Sequence, residues 1–374
     1  MPLSAPHFPS SSGRRHFLGR LGGGFGSVAL AGLLQRDGLL AAGPAAAGRG
    51  DGVGSLPMFA PKARRVIQLF MNGGASPMDT FDYKPELERR HGEMLGPKEK
   101  PEGQTGVSGA VLKSPFEFRR HGQCGRWVSS VFPHQAKWVD HMAFLMAMAS
   151  KTNVHGPASY MMNTGFLLPG FPSCGSWVSY ALGSLSDNLP TFVVLPDGRG
   201  LPYNQKGNFS AGFLPARHQG TILAAGATPP VPDLVAPESF AFARGAADEA
   251  TRALLQKTNR SHAVAHPGDS RLEARIAAGE LAAKMQLSAP EVFDLGRENQ
   301  ITRAAYGLDT PVTADFGRRC LLARRLIERG TRFVQVWSGP QGAVDNWDNH
   351  GNISTELPPI AASVDQPIGA LLGD

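Results

Sequence analysis

Cysteine is scarce in this chain, with only Cys124, Cys174 and Cys320 among 374 residues. Three widely spaced cysteines exclude a disulfide-dense scaffold, and no two have the spacing of a zinc-finger pair. One bridge plus a free thiol is compatible with the count, and any metal would fall to Asp, His and Asn. Clustered positive charge is also missing. The formal net charge is +6, and it falls to +3 without residues 1–47, which hold four arginines and one aspartate. A balance that mild, without a Lys/Arg run, gives no reason to expect nucleic acid or an anionic membrane surface as a partner. The sequence has no internal repeat. The apolar stretch at 21–34 falls short of the roughly 20 residues that span a bilayer.

That short stretch has another use. Ser12-Gly13-Arg14-Arg15-His16-Phe17-Leu18 places a paired cationic head before it, and small residues through Ala47 follow it. Basic head, apolar middle and small-residue cleavage region together read as a twin-arginine export signal over 1–47, cleaved after Ala47. The expected partner is the twin-arginine translocase and the expected location is the periplasm or the medium, with no stable membrane span after cleavage. The glycines of Gly22-Gly23-Gly24-Phe25-Gly26-Ser27 lie inside the signal and follow no strand, so they are not a phosphate loop. Residues 48–61 form a Gly/Pro-rich linker, which leaves 62–374 as one α/β domain.

Within that domain residues 65–71 are a nearly continuous apolar run of the kind buried in a parallel sheet, stopped by Asn72-Gly73-Gly74. Further strands are expected at 142–148, 191–195 and 332–337. Helices are expected at 123–138, kinked by Pro133, and at 157–164, with Gly165 as its stop. Others are expected at 173–183, across much of 240–305, and at 315–329. A last helix begins at Asp365-Gln366-Pro367. Residues 196–238, rich in Pro, Gly and Asn, read as an irregular insertion over the sheet. Strands alternating with helices predict a three-layer α/β/α sandwich with a mostly parallel sheet.

Ligands of open α/β sheets bind beyond the carboxyl ends of the strands. Three segments qualify: 72–82, 151–156 and 345–352. Asp348 and His350, two residues apart on a Gly/Asn-rich loop, can chelate a divalent cation, with Asp345 and Asn352 adding oxygen ligands or outer hydrogen bonds. Asp79 and Asp82 share a face on a helical turn, where the alternative is turn or capping chemistry. His155 lies just before a helix start, where amides favour phosphate or sulfate, and a capping histidine is the alternative there. His262 and His266 are four apart in polar surroundings and rank lower. His121, His134 and His141 read as structural, and Met146, Met148, Met161 and Met162 as core filler.

Several motifs occur in a recognisable order. The signal Arg14-Arg15-His16-Phe17-Leu18 is followed by Phe70-Met71-Asn72-Gly73-Gly74-Ala75-Ser76-Pro77-Met78-Asp79-Thr80-Phe81-Asp82 and Met162-Asn163-Thr164-Gly165. Then come Cys320-Leu321-Leu322-Ala323-Arg324-Arg325-Leu326-Ile327-Glu328-Arg329-Gly330 and Trp347-Asp348-Asn349-His350-Gly351. Together they resemble the domain of unknown function 1501 proteins, a twin-arginine-exported bacterial family similar to sulfatases within the alkaline phosphatase superfamily. The resemblance implies a metal-dependent hydrolase of sulfate or phosphate esters. Its divalent ion, Zn, Ca, Mn or Mg, would be held by Asp348, His350, Asp79 and Asp82, with Asn72 in support. It also implies that His155 falls where sulfatases place their nucleophile, with Thr152 and Ser159 as fallbacks. Cys124 and Cys174 do not match the formylglycine-forming cysteine of sulfatases. Relatives continue with a further strand, so a C-terminal truncation is expected here. The other reading is a non-catalytic protein that binds anionic glycans or a protein partner.

Overall fold

The computed structural model describes residues 62–96, 109–226, 246–288, 290–342 and 345–374. The export signal and linker lie outside the described residues, as does 227–238 of the expected insertion.

The first strand, β1 (Val66–Met71), forms where expected. A hairpin follows, β2 (Phe118–His121) and β3 (Arg126–Ser129), antiparallel and separate from the main sheet. Helix α1 (His155–Thr164) and helix α2 (Cys174–Leu182) precede β4 (Phe192–Leu195) and β5 (Thr221–Ile222). After α3 (Ala246–Ala265) and α4 (Ser270–Ser288) come α5 (Ala314–Glu328), β6 (Phe333–Ser338) and α6 (Ile353–Gly373). The main sheet runs β1-β6-β4-β5, and its pairs are parallel.

Period-two alternation divides these strands between two cores. Val193, Leu195, Val334 and Val336 pack with Phe316, Leu321 and Leu322 of α5 and with Leu357, Ala361 and Val364 of α6. Phe192, Val194, Phe333 and Trp337 pack with Cys174 and Val178 of α2 and with Phe209. Both faces of the sheet are thus covered, which is why β4 and β6 are buried throughout and mostly apolar. Helix ends follow local chemistry. Gly165 closes α1 at φ 81°, and the Ser173 hydroxyl accepts from the Ser176 amide to start α2.

Several sequence expectations fail, each for a physical reason. Residues 123–134 are not helical, and helical structure in this stretch is confined to the 3-10 turn Gln135–His141. Gly122 and Gly125 turn the chain at φ 65° and 64° into β3, and Asp140 secures the turn by accepting from the Gln123 and Cys124 amides at 2.8 Å. Residues 142–148 are not a strand. The run is apolar but pairs with no strand among the described residues, and Leu145 and Met148 are 75% and 70% exposed. Met146 and Met162 are exposed as well, so they do not fill the core. The insertion reading is also corrected, because Thr221–Ile222 extends the sheet on β4.

The last helix starts twelve residues before Asp365, at Ile353, and carries Pro358, Pro359 and Pro367 inside it. Interior prolines forfeit backbone hydrogen bonds. Burial of Leu357, Ala361, Val364 and Ile368 against α5 and the sheet offsets that loss. Asp365 is no helix cap: it is buried and accepts from the His134 and Gln135 amides, 230 residues away in sequence, at 2.7 and 3.0 Å.

Candidate active site

β1, β4 and β6 deliver the chain to the same edge of the sheet. After β1, Asn72 is wholly buried; its carbonyl accepts from the Trp347 amide at 2.9 Å and its side-chain amide donates to the Pro340 carbonyl. Gly73 continues at φ 98°, and a Cβ there would lie 2.7 Å from the Asp348 nitrogen. The two chain segments are therefore in contact, and only glycine allows it. Buried Asn346 shapes the second segment by accepting from the Asp348 amide at 2.9 Å and donating to the Gly342 carbonyl at 2.6 Å. Trp347 anchors it from below through Nε1 to the Ser338 hydroxyl.

This scaffold presents Asp348 between two histidines. His155 Nε2 lies 2.9 Å from Oδ2 and His350 Nδ1 lies 2.6 Å from Oδ1. An ionised carboxylate only accepts, so each of those nitrogens carries the proton. Nδ1 of His155 and Nε2 of His350 are left as the basic positions of the neutral rings. The hydrogen bond from His350 to Asp348, together with the carboxylate's charge, raises the His350 pKa above the usual imidazole value. Tyr203 stacks on His155 with centroids 5.0 Å apart and planes 12° from parallel, and its hydroxyl donates to the Gly342 carbonyl at 2.7 Å. His155 is the first residue of α1, whose N-terminus has no side-chain cap.

The expected convergence of 72–82, 151–156 and 345–352 holds for Asn72, His155, Asp348 and His350. Other expected site residues are engaged elsewhere. Asp79 accepts from the hydroxyls of Ser76 and Ser114, and Asp82 pairs with Lys84 at 2.8 Å; no hydrogen bond or ion pair joins either to Asp348. Asn352 accepts from the Ser354 hydroxyl at the start of α6. Asp345 sits at φ 62°, 3.8 Å from Arg199. The Thr152 hydroxyl accepts from the Val154 amide, and the buried Ser159 hydroxyl donates to Asn208. His262 on α3 and His266 just past its end lie with ring centroids 4.4 Å apart and planes tilted by 39°, both exposed and remote from the site in sequence.

Among the described residues, no group of three or more His, Cys, Asp and Glu side chains is placed to hold a metal ion. The donors that do meet, Asp348 and His350, are of the chemical types a divalent cation takes, but His350 Nδ1 gives its proton to Asp348 here, so an ion held between them would replace that hydrogen bond and require Nδ1 to lose its proton.

A cavity of about 1020 Å³ opens beside Asp348. Asp197, at the end of β4, lies in its floor. Burial opposes its charge, but hydrogen bonds from Arg199, the charge of Arg319 and the Gly339 amide outweigh burial and hold its carboxyl down to about 2. Arg319, buried on α5, donates to Asp315 and to the Trp337 carbonyl. Sequence reasoning missed Tyr203, Asn346 and the Asp197–Arg199–Arg319 network. Asn346 lay within a polar run already singled out, whereas Tyr203 and Asp197 stood in the segment read as insertion.

The fold and the site define an α/β protein that gathers an Asp–His cluster and a large cavity beyond the carboxyl edge of a parallel sheet. The chain belongs to the family described as Protein of unknown function (DUF1501), whose model matches residues 63–374. No curated protein and no solved structure matches it.

Proposed function

We propose that this protein is an exported hydrolase of sulfate or phosphate monoesters, built as a sulfatase-like α/β/α sandwich of the alkaline phosphatase superfamily. The observation that carries the reading is Asp348 held between His155 and His350 at the start of α1. His155 takes a proton through Nδ1 from an attacking water, while Asp348 fixes the ring by accepting from Nε2. Water adds to the sulfur or phosphorus, the ester bond breaks, and the departing oxygen takes a proton from solvent to leave as the alcohol. Uncapped amides at the α1 N-terminus favour the anionic group. Asp348 and His350 would hold a divalent cation, Zn, Ca, Mn or Mg, which when bound offsets charge on the ester oxygens.

Export by the twin-arginine translocase to the periplasm or the medium is part of the same reading, resting on Arg14 and Arg15. No helix among the described residues is long and apolar enough to cross a membrane.

The direct test is elemental analysis of the purified protein. Hydrolysis of p-nitrophenyl phosphate and p-nitrophenyl sulfate is then assayed with each cation, in wild type, His155→Ala, Asp348→Ala and His350→Ala. The expected result is turnover that each substitution abolishes and metal content that the last two reduce. Absence of turnover with every cation, or unchanged metal in both variants, overturns the assignment. For export, Arg14→Lys with Arg15→Lys should leave the protein in the cytoplasmic fraction.

A further inference from the structure

The cavity beside Asp348 is too large for the reacting group alone. At about 1020 Å³ it reaches the upper end of the roughly 300–1,000 Å³ typical of sites for whole small organic molecules. Its lining states what kind of molecule. Phe316 of α5, Pro359 and Ile360 of α6, Val312 just before α5 and Ala225 just after β5 supply an apolar wall. The charged lining is unbalanced. Five carboxylates, of Asp197, Asp315, Asp345, Asp348 and Glu356, face two guanidinium groups, those of Arg199 and Arg319.

Both arginines are already committed. Arg199 donates to both oxygens of Asp197 and approaches Asp345 at 3.8 Å. Arg319 serves Asp315 and the Trp337 carbonyl, and its unpaired Nε is sealed from solvent. Among the described residues of the lining, neither guanidinium is without a carboxylate partner, and even a divalent cation on Asp348 leaves the wall net negative. Like charge repels across such a cavity.

We infer that the cavity takes an uncharged, predominantly apolar organic group, alkyl or aryl, belonging to an ester with a single anionic head, and rejects polyanions such as multiply sulfated glycans. This rests on the hydrolase reading for where the head sits, at His155 and Asp348. The apolar wall and the charge excess decide the rest.

The test uses the full-length protein, with phenyl phosphate and a trisulfated disaccharide as probes, and calorimetric titration as readout. Phenyl phosphate should bind, and the disaccharide should not. Val312 is 57% exposed at the mouth of the cavity, so Val312→Trp should fold as wild type and weaken phenyl phosphate by about tenfold or more. Nuclear Overhauser contacts from the phenyl ring to the Val312 methyls and the Phe316 ring give the same answer without a substitution. Disaccharide binding equal to or tighter than that of phenyl phosphate, failure of both probes to bind, or phenyl contacts away from Val312 and Phe316 would each overturn the inference. Binding in the cavity without turnover sinks only the hydrolase reading. Turnover with phenyl phosphate seated elsewhere sinks only the inference.

Discussion

Two adjacent glycines offer a test of how the site is held. Gly73 and Gly74 both sit at positive φ, 98° and 89°, but a Cβ on Gly74 meets nothing within 4 Å. A Cβ on Gly73 falls 2.7 Å from the Asp348 nitrogen and 2.9 Å from Asn346 Oδ1. Alanine at either position incurs the left-handed backbone penalty of about 1–2 kcal/mol. Gly73→Ala must also push the 345–350 loop away, and such overpacking adds about 1–3 kcal/mol. Gly74→Ala should therefore lower stability by about 1–2 kcal/mol and Gly73→Ala by about 2–5 kcal/mol. Urea unfolding gives both values from the midpoints, provided the slopes agree. A second consequence is local. Moving Asp348 separates it from His350, so the raised His350 pKa should fall back toward 6.5 in Gly73→Ala and stay raised in Gly74→Ala. Equal destabilisation of the two variants, with His350 titrating alike in both, would refute the contact.

Asp365→Ala leaves two backbone amides of the His134–Gln135 turn without their acceptor; at about 1–3 kcal/mol for each buried unpaired group, the loss in urea unfolding should be at least 2 kcal/mol or so. A loss under about 0.5 kcal/mol, typical of an unimportant surface change, would show that the turn re-pairs elsewhere. Tyr203→Phe keeps the ring stacked on His155 and loses the hydroxyl's hydrogen bonds to the Gly342 carbonyl and from the Asn346 amide; it should retain most hydrolysis, while Tyr203→Ala should lower kcat more than it raises KM. The upfield ring-current shift of the His155 protons should survive in the first variant and vanish in the second. For pH, His350 has a folded pKa above its unfolded value. Its contribution is complete below the unfolded value and is lost as pH rises through the raised folded one, and Asp348→Asn should abolish that dependence in unfolding curves. Asp197, held at about 2 against an ordinary 3.8, behaves oppositely. Its contribution is present above 3.8 and disappears as pH falls toward 2, a loss that Asp197→Asn should remove from the acid-unfolding curve.

Several elements were legible because the sequence states them locally. β1, β4 and β6 are apolar runs bounded by turn residues, and α1 and α2 carry their own stops and caps in Gly165 and Ser173. The Asp348–His350 pair could be singled out by spacing alone, and placing it at the sheet edge with His155 needed only the rule that parallel strands point their carboxyl ends one way. Residues 142–148 look like a strand by composition, yet a strand needs a partner to satisfy its backbone, and among the described residues none pairs with it. Two-residue β5 is too short to show periodicity, so only its pairing with β4 defines it.

Other features depend on distance in sequence. Whether Asp365 starts a helix or caps a turn about 230 residues away is settled by where α6 packs, and Asp79 and Asp82 are taken up by Ser76, Ser114 and Lys84. The stack of Tyr203 on His155 and the committed arginines of the cavity arise from segments that meet only after the sheet has formed. Local chemistry wrote the strands, the caps and the Asp–His pair into the sequence. Burial and long-range hydrogen bonding, which depend on which segments become neighbours, decided which of those groups face one another and what remains free to act.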